Sequence, residues 1–188
     1  DEISKEVLFD RSYEDRYSDP GDFQTTLNDY GRSVLQTDES GHLYLVGIGA
    51  SSEGNRPFVD QFDLTTKQST RLWRSSAPYY EIPSIILDLK KGLFLTRRAS
   101  KTEQPNFYIQ SWKNRKLDQI TEFPNPYAAM EGVTKELVSY KRKDGIELTG
   151  TLYLPSGYDK EKDGPLPVLM WAYPREYKSK TAAGQVRN

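Results

Sequence analysis

Residues 148–180 read LTGTLYLPSGYDKEKDGPLPVLMWAYPREYKSK, and their pattern decides the fold. Leu148, Gly150, Leu152 and Leu154 alternate with Thr149, Thr151 and Tyr153, the period-two pattern of a strand, and Pro155 stops it. A charged loop follows over 156–167. The run Val168-Leu169-Met170-Trp171-Ala172-Tyr173 is short, apolar and continuous, which predicts a strand buried on both faces of a mixed or parallel sheet, ended by Pro174. Upstream, 135–142 reads as a strand, Lys143-Asp144-Gly145 supplies an Asp-Gly turn, and 146–154 returns antiparallel. Beyond Pro174, residues 178–187 have the composition of a helix, with Ala182 and Ala183 inside it.

Outward from this stretch, residues 33–123 repeat themselves. Ser33-Val34-Leu35-Gln36, a turn at Asp38 to Gly41, and Leu43-Tyr44-Leu45-Val46 match Ser84-Ile85-Ile86-Leu87, a turn at Lys90 to Gly92, and Leu93-Phe94-Leu95-Thr96. Phe58-Val59-Asp60-Gln61 likewise matches Phe107-Tyr108-Ile109-Gln110, and Leu72 matches Ile120. The offset drifts slowly around about 50 residues, as two copies of one unit with different turn lengths require. In the first copy the strand-like runs are 33–37, 43–47, 58–64 and 69–74, and four antiparallel strands in about 40 to 50 residues have the size of one β-propeller blade. Two such units do not close a propeller, so either the chain is an excerpt or two sheets keep open edges. Before the repeats, 6–9 reads as a short strand and 10–21 as a charged loop closing on Pro20-Gly21; after them, 124–127 reads as a linker.

The 188 residues suffice for one or two domains, and 36% apolar with 12% aromatic residues suffices for a core. With 26 basic and 27 acidic side chains, no bulk field points to nucleic acid or an anionic membrane surface. Zero cysteines exclude a disulfide framework and thiolate metal sites. No apolar run approaches the roughly 18 to 20 residues of a membrane helix, so membrane insertion is not expected.

DGIELTGTLYLPSGYD at 144–159, PLPVLMWAYP at 165–174 and EYKSKTAAGQVR at 176–187 resemble the opening of the catalytic domain in the prolyl oligopeptidase family of serine peptidases. With FDRSYEDRYSDPG at 9–21, they are most similar to its glutamyl endopeptidase branch, so the resemblance covers nearly the whole chain. It implies a mainly β fragment: the last two blades of a propeller over residues 1–127, then the first strands of an α/β hydrolase domain over 128–188. It implies hydrolysis of peptides or unfolded polypeptide through an acyl-enzyme, after glutamate, without metal or organic cofactor. The implied compartment is the chloroplast stroma for a plant protein, otherwise the bacterial cytoplasm or an exported location. In this family the tyrosine ending the strand donates its phenolic hydrogen to the tetrahedral intermediate, and Tyr173 is the matching position. Arg175 departs from the pattern, where glycine is usual.

The remaining candidates are weighed against plainer readings. Ser-His-Asp catalysis needs a base, and the single histidine, His42, sits at a turn between blade strands; no Gly-x-Ser-x-Gly occurs. The resemblance places all three triad residues after this segment, so the chain alone is expected to be inactive. Asp10, Glu14, Asp15 and Asp19 cluster, yet the EF-hand pattern is absent and Arg11 and Arg16 supply partners, so a solvated or salt-bridged loop is expected. Trp73, Trp112 and Trp171 lie in strand-like runs and are expected in the core. Lys178-Ser179-Lys180, Arg97 and Arg98 are candidates to neutralise a substrate carboxylate, with a solvated surface the plainer reading for each. The rival to a peptidase is a non-enzymatic, propeller-like interaction module.

Overall fold

The computed structural model describes residues 4–173 and 175–186, and they are mainly β. The alternating runs form two four-stranded antiparallel sheets. The first contains β1 (Asp22–Phe23), β4 (Leu43–Gly47), β5 (Phe58–Asp63) and β6 (Gln68–Arg74), ordered β1-β4-β5-β6; β2 (Thr25–Leu27) and β3 (Ser33–Leu35) pair only with each other. The second contains β7 (Tyr80–Asp88), β8 (Leu93–Ala99), β9 (Asn106–Ser111) and β10 (Leu117–Gln119), ordered β10-β9-β8-β7. Their central pairs share one register: Leu43 opposes Phe62 and Tyr44 opposes Gln61, as Leu93 opposes Ser111 and Phe94 opposes Gln110. The sequence repeat is therefore a structural repeat.

The copies differ in their first strand. Residues 33–36 were expected beside β4, but that place is shared by β1 (Asp22 opposite Val46, Phe23 opposite Leu45) and a single bridge from Thr37 to Leu43. Between those pieces the chain leaves as the β2–β3 hairpin, whose turn is held by the Asn28 side chain accepting from the Tyr30 and Arg32 amides. The Gln36 amide closes it by donating to the Gln24 carbonyl at 2.9 Å. An excursion of this kind leaves the period-two pattern intact and is invisible to it. The strand expected at 6–9 is also absent; Leu8 packs on Leu43, Leu45 and Phe62, and the Phe9 ring lies 5.4 Å from that of Phe62, so the face of the sheet captures this segment without backbone pairing.

The two sheets share a core. Tyr44 and Val59 from the first meet Ile86 and Phe94 from the second, with Leu72, Trp73, Leu89 and Trp112 packed around them. Trp112 stacks on Phe94 at 5.9 Å and Trp73 tilts against it at 5.1 Å, so two of the three expected core tryptophans are in place. Fully burying a ring such as Phe94 contributes about 1.5–3 kcal/mol.

Beyond the sheets, Ala128–Met130 forms one 3-10 turn, and β11 (Thr134–Lys141) and β12 (Glu147–Leu154) form the expected hairpin, with Gly145 at φ +84° in its turn. The helix expected over 178–187 is a single turn, α1 (Lys180–Ala183), followed by Gly184; Arg187 lies outside the described residues. The largest correction concerns 168–173. They form no strand, and Val168, Leu169, Met170, Trp171 and Tyr173 are 82–97% exposed, so Trp171 is not a core residue here. A strand buried on both faces needs neighbours for its backbone and for each side-chain row. Among the described residues nothing pairs with it, and Pro174, assigned to end it, lies outside them.

Candidate functional site

Strand direction sorts the connections to two ends. Each turn from the first to the second strand of a sheet, at 38–42 and 89–92, lies at one end, together with 64–67 and 112–116. Loop 10–21, which feeds β1, and connections 48–57, 75–79 and 100–105 gather at the other, where 124–133 also leaves. Contacts agree with this placement: a cleft lined by Pro78, Ser100 and Lys101 also meets Val133 and Lys135.

His42 belongs to the first end. Its Nδ1 lies 3.0 Å from Asp38 Oδ2, which also accepts from the Tyr44 hydroxyl and the Gln61 amide, each at 3.0 Å. Burial pushes the Asp38 carboxyl up, but these hydrogen bonds and those from the His42 and Ser40 amides win and hold it at about 2. His42 is a turn residue tied to a structural carboxylate, as its position in the sequence indicated.

Loop 10–21 sits at the second end as an ion-paired loop. Arg11 meets Asp19 at 3.0 Å and donates to the Asp15 carbonyl at 2.9 Å. Against it lies the chain that follows Tyr173. A cleft of about 350 Å³ between them is lined by Arg11, Glu14, Arg16, Asp19, Arg175 and Glu176 among others. Loop 10–21 is also bonded to residues far apart from it in sequence, which form a clasp. The Gln185 side chain accepts from the Arg16 amide at 2.8 Å and donates to Asp15 Oδ1 at 2.6 Å. The Val186 amide donates to the Tyr17 hydroxyl at 2.9 Å, and the Lys178 amide donates to the Glu14 carboxylate at 3.0 Å. Gln185, Val186 and Ala182 are buried by it. The Gln185 hydrogen bond is foremost among those that hold the Asp15 carboxyl below its ordinary range.

Of the residues singled out in the sequence, Arg175 and Lys178 come to this cleft or its border, and Tyr173 precedes it by two residues. Ser179 caps α1 by accepting from the Ala182 amide, and Lys180 begins that turn. Arg97 is exposed on β8. Arg98 is engaged elsewhere: its guanidinium lies 3.4 Å over the Tyr79 ring and near Glu81, whose carboxyl is pushed up by burial against the opposing pull of Arg98 and of the Gln110 hydrogen bond. The clasp was missed because a side chain bonding to backbone 169 residues away leaves no local periodicity. Its only trace was the likeness of 9–21 and 176–187 to one family.

Over 99% of its length the chain is 46% identical to the probable chloroplastic glutamyl endopeptidase of Arabidopsis thaliana, and equally so to that of Oryza sativa subsp. japonica. It is a homologue of one segment of those peptidases. The resemblance to the glutamyl endopeptidase branch thus extends through both sheets, the hairpin and the clasp. The chain spans 21% of the length of each of these relatives. No family model matches. Among solved structures it is similar to a variant of the AtxE2 isopeptidase with Astexin3-dC4 bound, at TM-score 0.44 and 15% identity over 73% of this chain and 22% of the other. The AtxE2 isopeptidase without that peptide gives TM-score 0.42 over 69% and 21%.

Proposed function

We propose that this chain is part of a serine-type endopeptidase of the prolyl oligopeptidase kind that hydrolyses peptides or unfolded polypeptide after glutamate, through an acyl-enzyme. The observation that carries this reading is the 46% identity along 99% of the chain to proteins named glutamyl endopeptidase. In this reading residues 1–127 are the last two blades of a propeller that gates the site, and 128–188 open the hydrolase domain. The compartment would be that of its relatives if the chain comes from a plant.

The single histidine, His42, lies at the opposite end of the first sheet from the cleft, and the sequence holds no Gly-x-Ser-x-Gly for a nucleophile elbow. Nucleophile and base are therefore assigned to the rest of the whole protein. What this segment supplies is Tyr173. As serine attacks, the substrate carbonyl oxygen becomes an oxyanion, and a phenolic O–H already aimed at that position stabilises the transition state more than the ground state. In the full-length enzyme Tyr173→Phe keeps the ring and deletes the donor, so turnover falls roughly 100- to 1000-fold with a smaller change in KM. Unchanged turnover in the folded variant would remove Tyr173 from the mechanism.

A further inference from the structure

We infer that the hairpin of residues 24–36 is a channel filter: it stands out from the inner edge of the first sheet into the central channel of the propeller and admits substrate only as a single extended strand. The inference rests on the propeller and peptidase reading proposed above. The internal repeat marks the hairpin as an insertion. Asp22 and Phe23 oppose Val46 and Leu45 as Pro83 and Ile85 oppose Thr96 and Leu95, and Thr37 opposes Leu43 as Asp88 opposes Leu93. Between these matched positions the second copy carries only Ile86 and Leu87, whereas the first carries residues 24–36. Both β1 and β7 are edge strands, so the insertion leaves from an edge. The Gln36 side chain donates to the Ile86 carbonyl at 3.3 Å, which ties the base of the hairpin to the matching edge of the second sheet, and the backbones of the two sheets approach where β7 passes β4 and β5. The sheets therefore converge at their first strands. Propeller blades converge on the channel they surround, so this edge is the inner one. The place of the hairpin follows from the edge it leaves and holds whatever else lines the channel.

Its hydrogen bonds make the insertion stiff. Thr25–Leu27 pair with Ser33–Leu35, and the tip is locked by the Asn28 amide donating to the Arg32 carbonyl and the Gly31 amide to the Asn28 carbonyl, each at 2.9 Å, beside the two bonds to the Asn28 side chain. At about 3.3 Å per residue the ribbon reaches roughly 15–20 Å from Gln24 to the turn that carries Tyr30. A ribbon of that length, tied at its base by Gln36, narrows the opening beside it by a fixed amount and needs no ordering when substrate arrives. It sorts substrates by cross-section: an extended strand passes, and a closed loop or folded segment does not.

The test uses the full-length enzyme and a peptide in which a linear segment containing glutamate adjoins a loop closed by a disulfide; reduction opens the loop and leaves the cleaved bond unaltered. Replacing residues 25–35 by two glycines raises kcat/KM for the looped form about 10-fold and keeps that for the reduced form within about 2-fold. Tyr30→Ala, which trims the tip, and Gln36→Leu, which releases the base, shift the same ratio a few-fold in the same direction. These two carry the test if the shortened protein does not fold. Equal changes for the two forms, no change in either, or a wild-type enzyme that cleaves both at one rate overturns the filter and leaves the peptidase reading in place. Failure of the wild-type enzyme to cleave even the reduced peptide overturns that reading, and the filter with it.

Discussion

The two halves of the chain treat the same kinds of residue in opposite ways. Between Leu43 and Ser111, Leu45, Val59, Phe62 and Phe94 are at most 1% exposed; in β11–β12 no residue is buried, and Leu169 is 97% exposed. Sequence pattern does not distinguish them, since both are alternating or continuous apolar runs. The difference lies in what stands opposite each run. The first sheet has the second against one face and Leu8 with Phe9 against the other, whereas the hairpin and the tract have no sheet over them among the described residues.

The sharpest way to break the comparison is to remove a ring from the shared core. Phe94→Ala leaves a cavity between Trp73 and Trp112 and lowers the stability of the 188-residue chain by about 3–5 kcal/mol, read from denaturant unfolding. A loss under about 1 kcal/mol would mean that the sheets do not pack on each other through this ring.

How far the sequence carried this picture follows from the same contrast. The register of β4–β5 against β8–β9 was legible because repeat and pattern are local properties of residues such as Leu43 and Leu93. The Asp-Gly hairpin was legible for the same reason. Which strand stands beside β4, where Phe9 packs, and whether Trp171 meets anything are decided by partners distant in the chain. Tyr173 was singled out only by resemblance and Arg175 only as a departure from it, and Gln185 was not singled out at all.

Two glycines at equivalent turns sharpen the contrast. Gly92 has φ +67°, and a Cβ there would come within 2.9 Å of the Trp112 indole; Gly145 has φ +84° with nothing within 4 Å. Both alanine variants carry the backbone cost of a left-handed residue, about 1 kcal/mol. Gly92→Ala also displaces Trp112, so it lowers global stability by about 2 kcal/mol or more. Gly145→Ala speeds amide exchange in β11–β12 and leaves the global transition where it was. Equal global effects would show that the hairpin unfolds together with the sheets.

Two aspartates make a finer comparison. Asp38 in the first unit is held at about 2 by its hydrogen bonds against burial, and Asp144 in the hairpin is held at about 2 chiefly by Arg142. Each folded value lies below the unfolded one, near 3.9, so any stabilisation is complete above about pH 4 and is lost as pH falls toward 2. Only Asp38 is enclosed enough for that to register, at about 1 to 2 kcal/mol. Asp38→Asn therefore reduces the stability difference between neutral pH and about pH 2.5, whereas Asp144→Asn leaves it unchanged because water and salt screen its exposed pair. A matching response from both would contradict the assignment of Asp38 to a shielded network.

The smallest effect is expected from the largest side chain. Trp171 is 84% exposed in a tract with no strand partner, so in this chain Trp171→Ala removes almost no contact and changes unfolding by less than about 0.5 kcal/mol. Its emission should also be that of an indole in water, lost on Trp171→Phe, while the shielded signals of Trp73 and Trp112 persist. If the tract is the two-sided strand that its composition describes, the same substitution in the full-length protein removes a packed ring and costs about 3–5 kcal/mol. That pair of measurements separates the residue's pattern from its surroundings. A loss above about 1 kcal/mol in the short chain would show that the tract already packs there, and the contrast between the two halves would fail at its most exposed point.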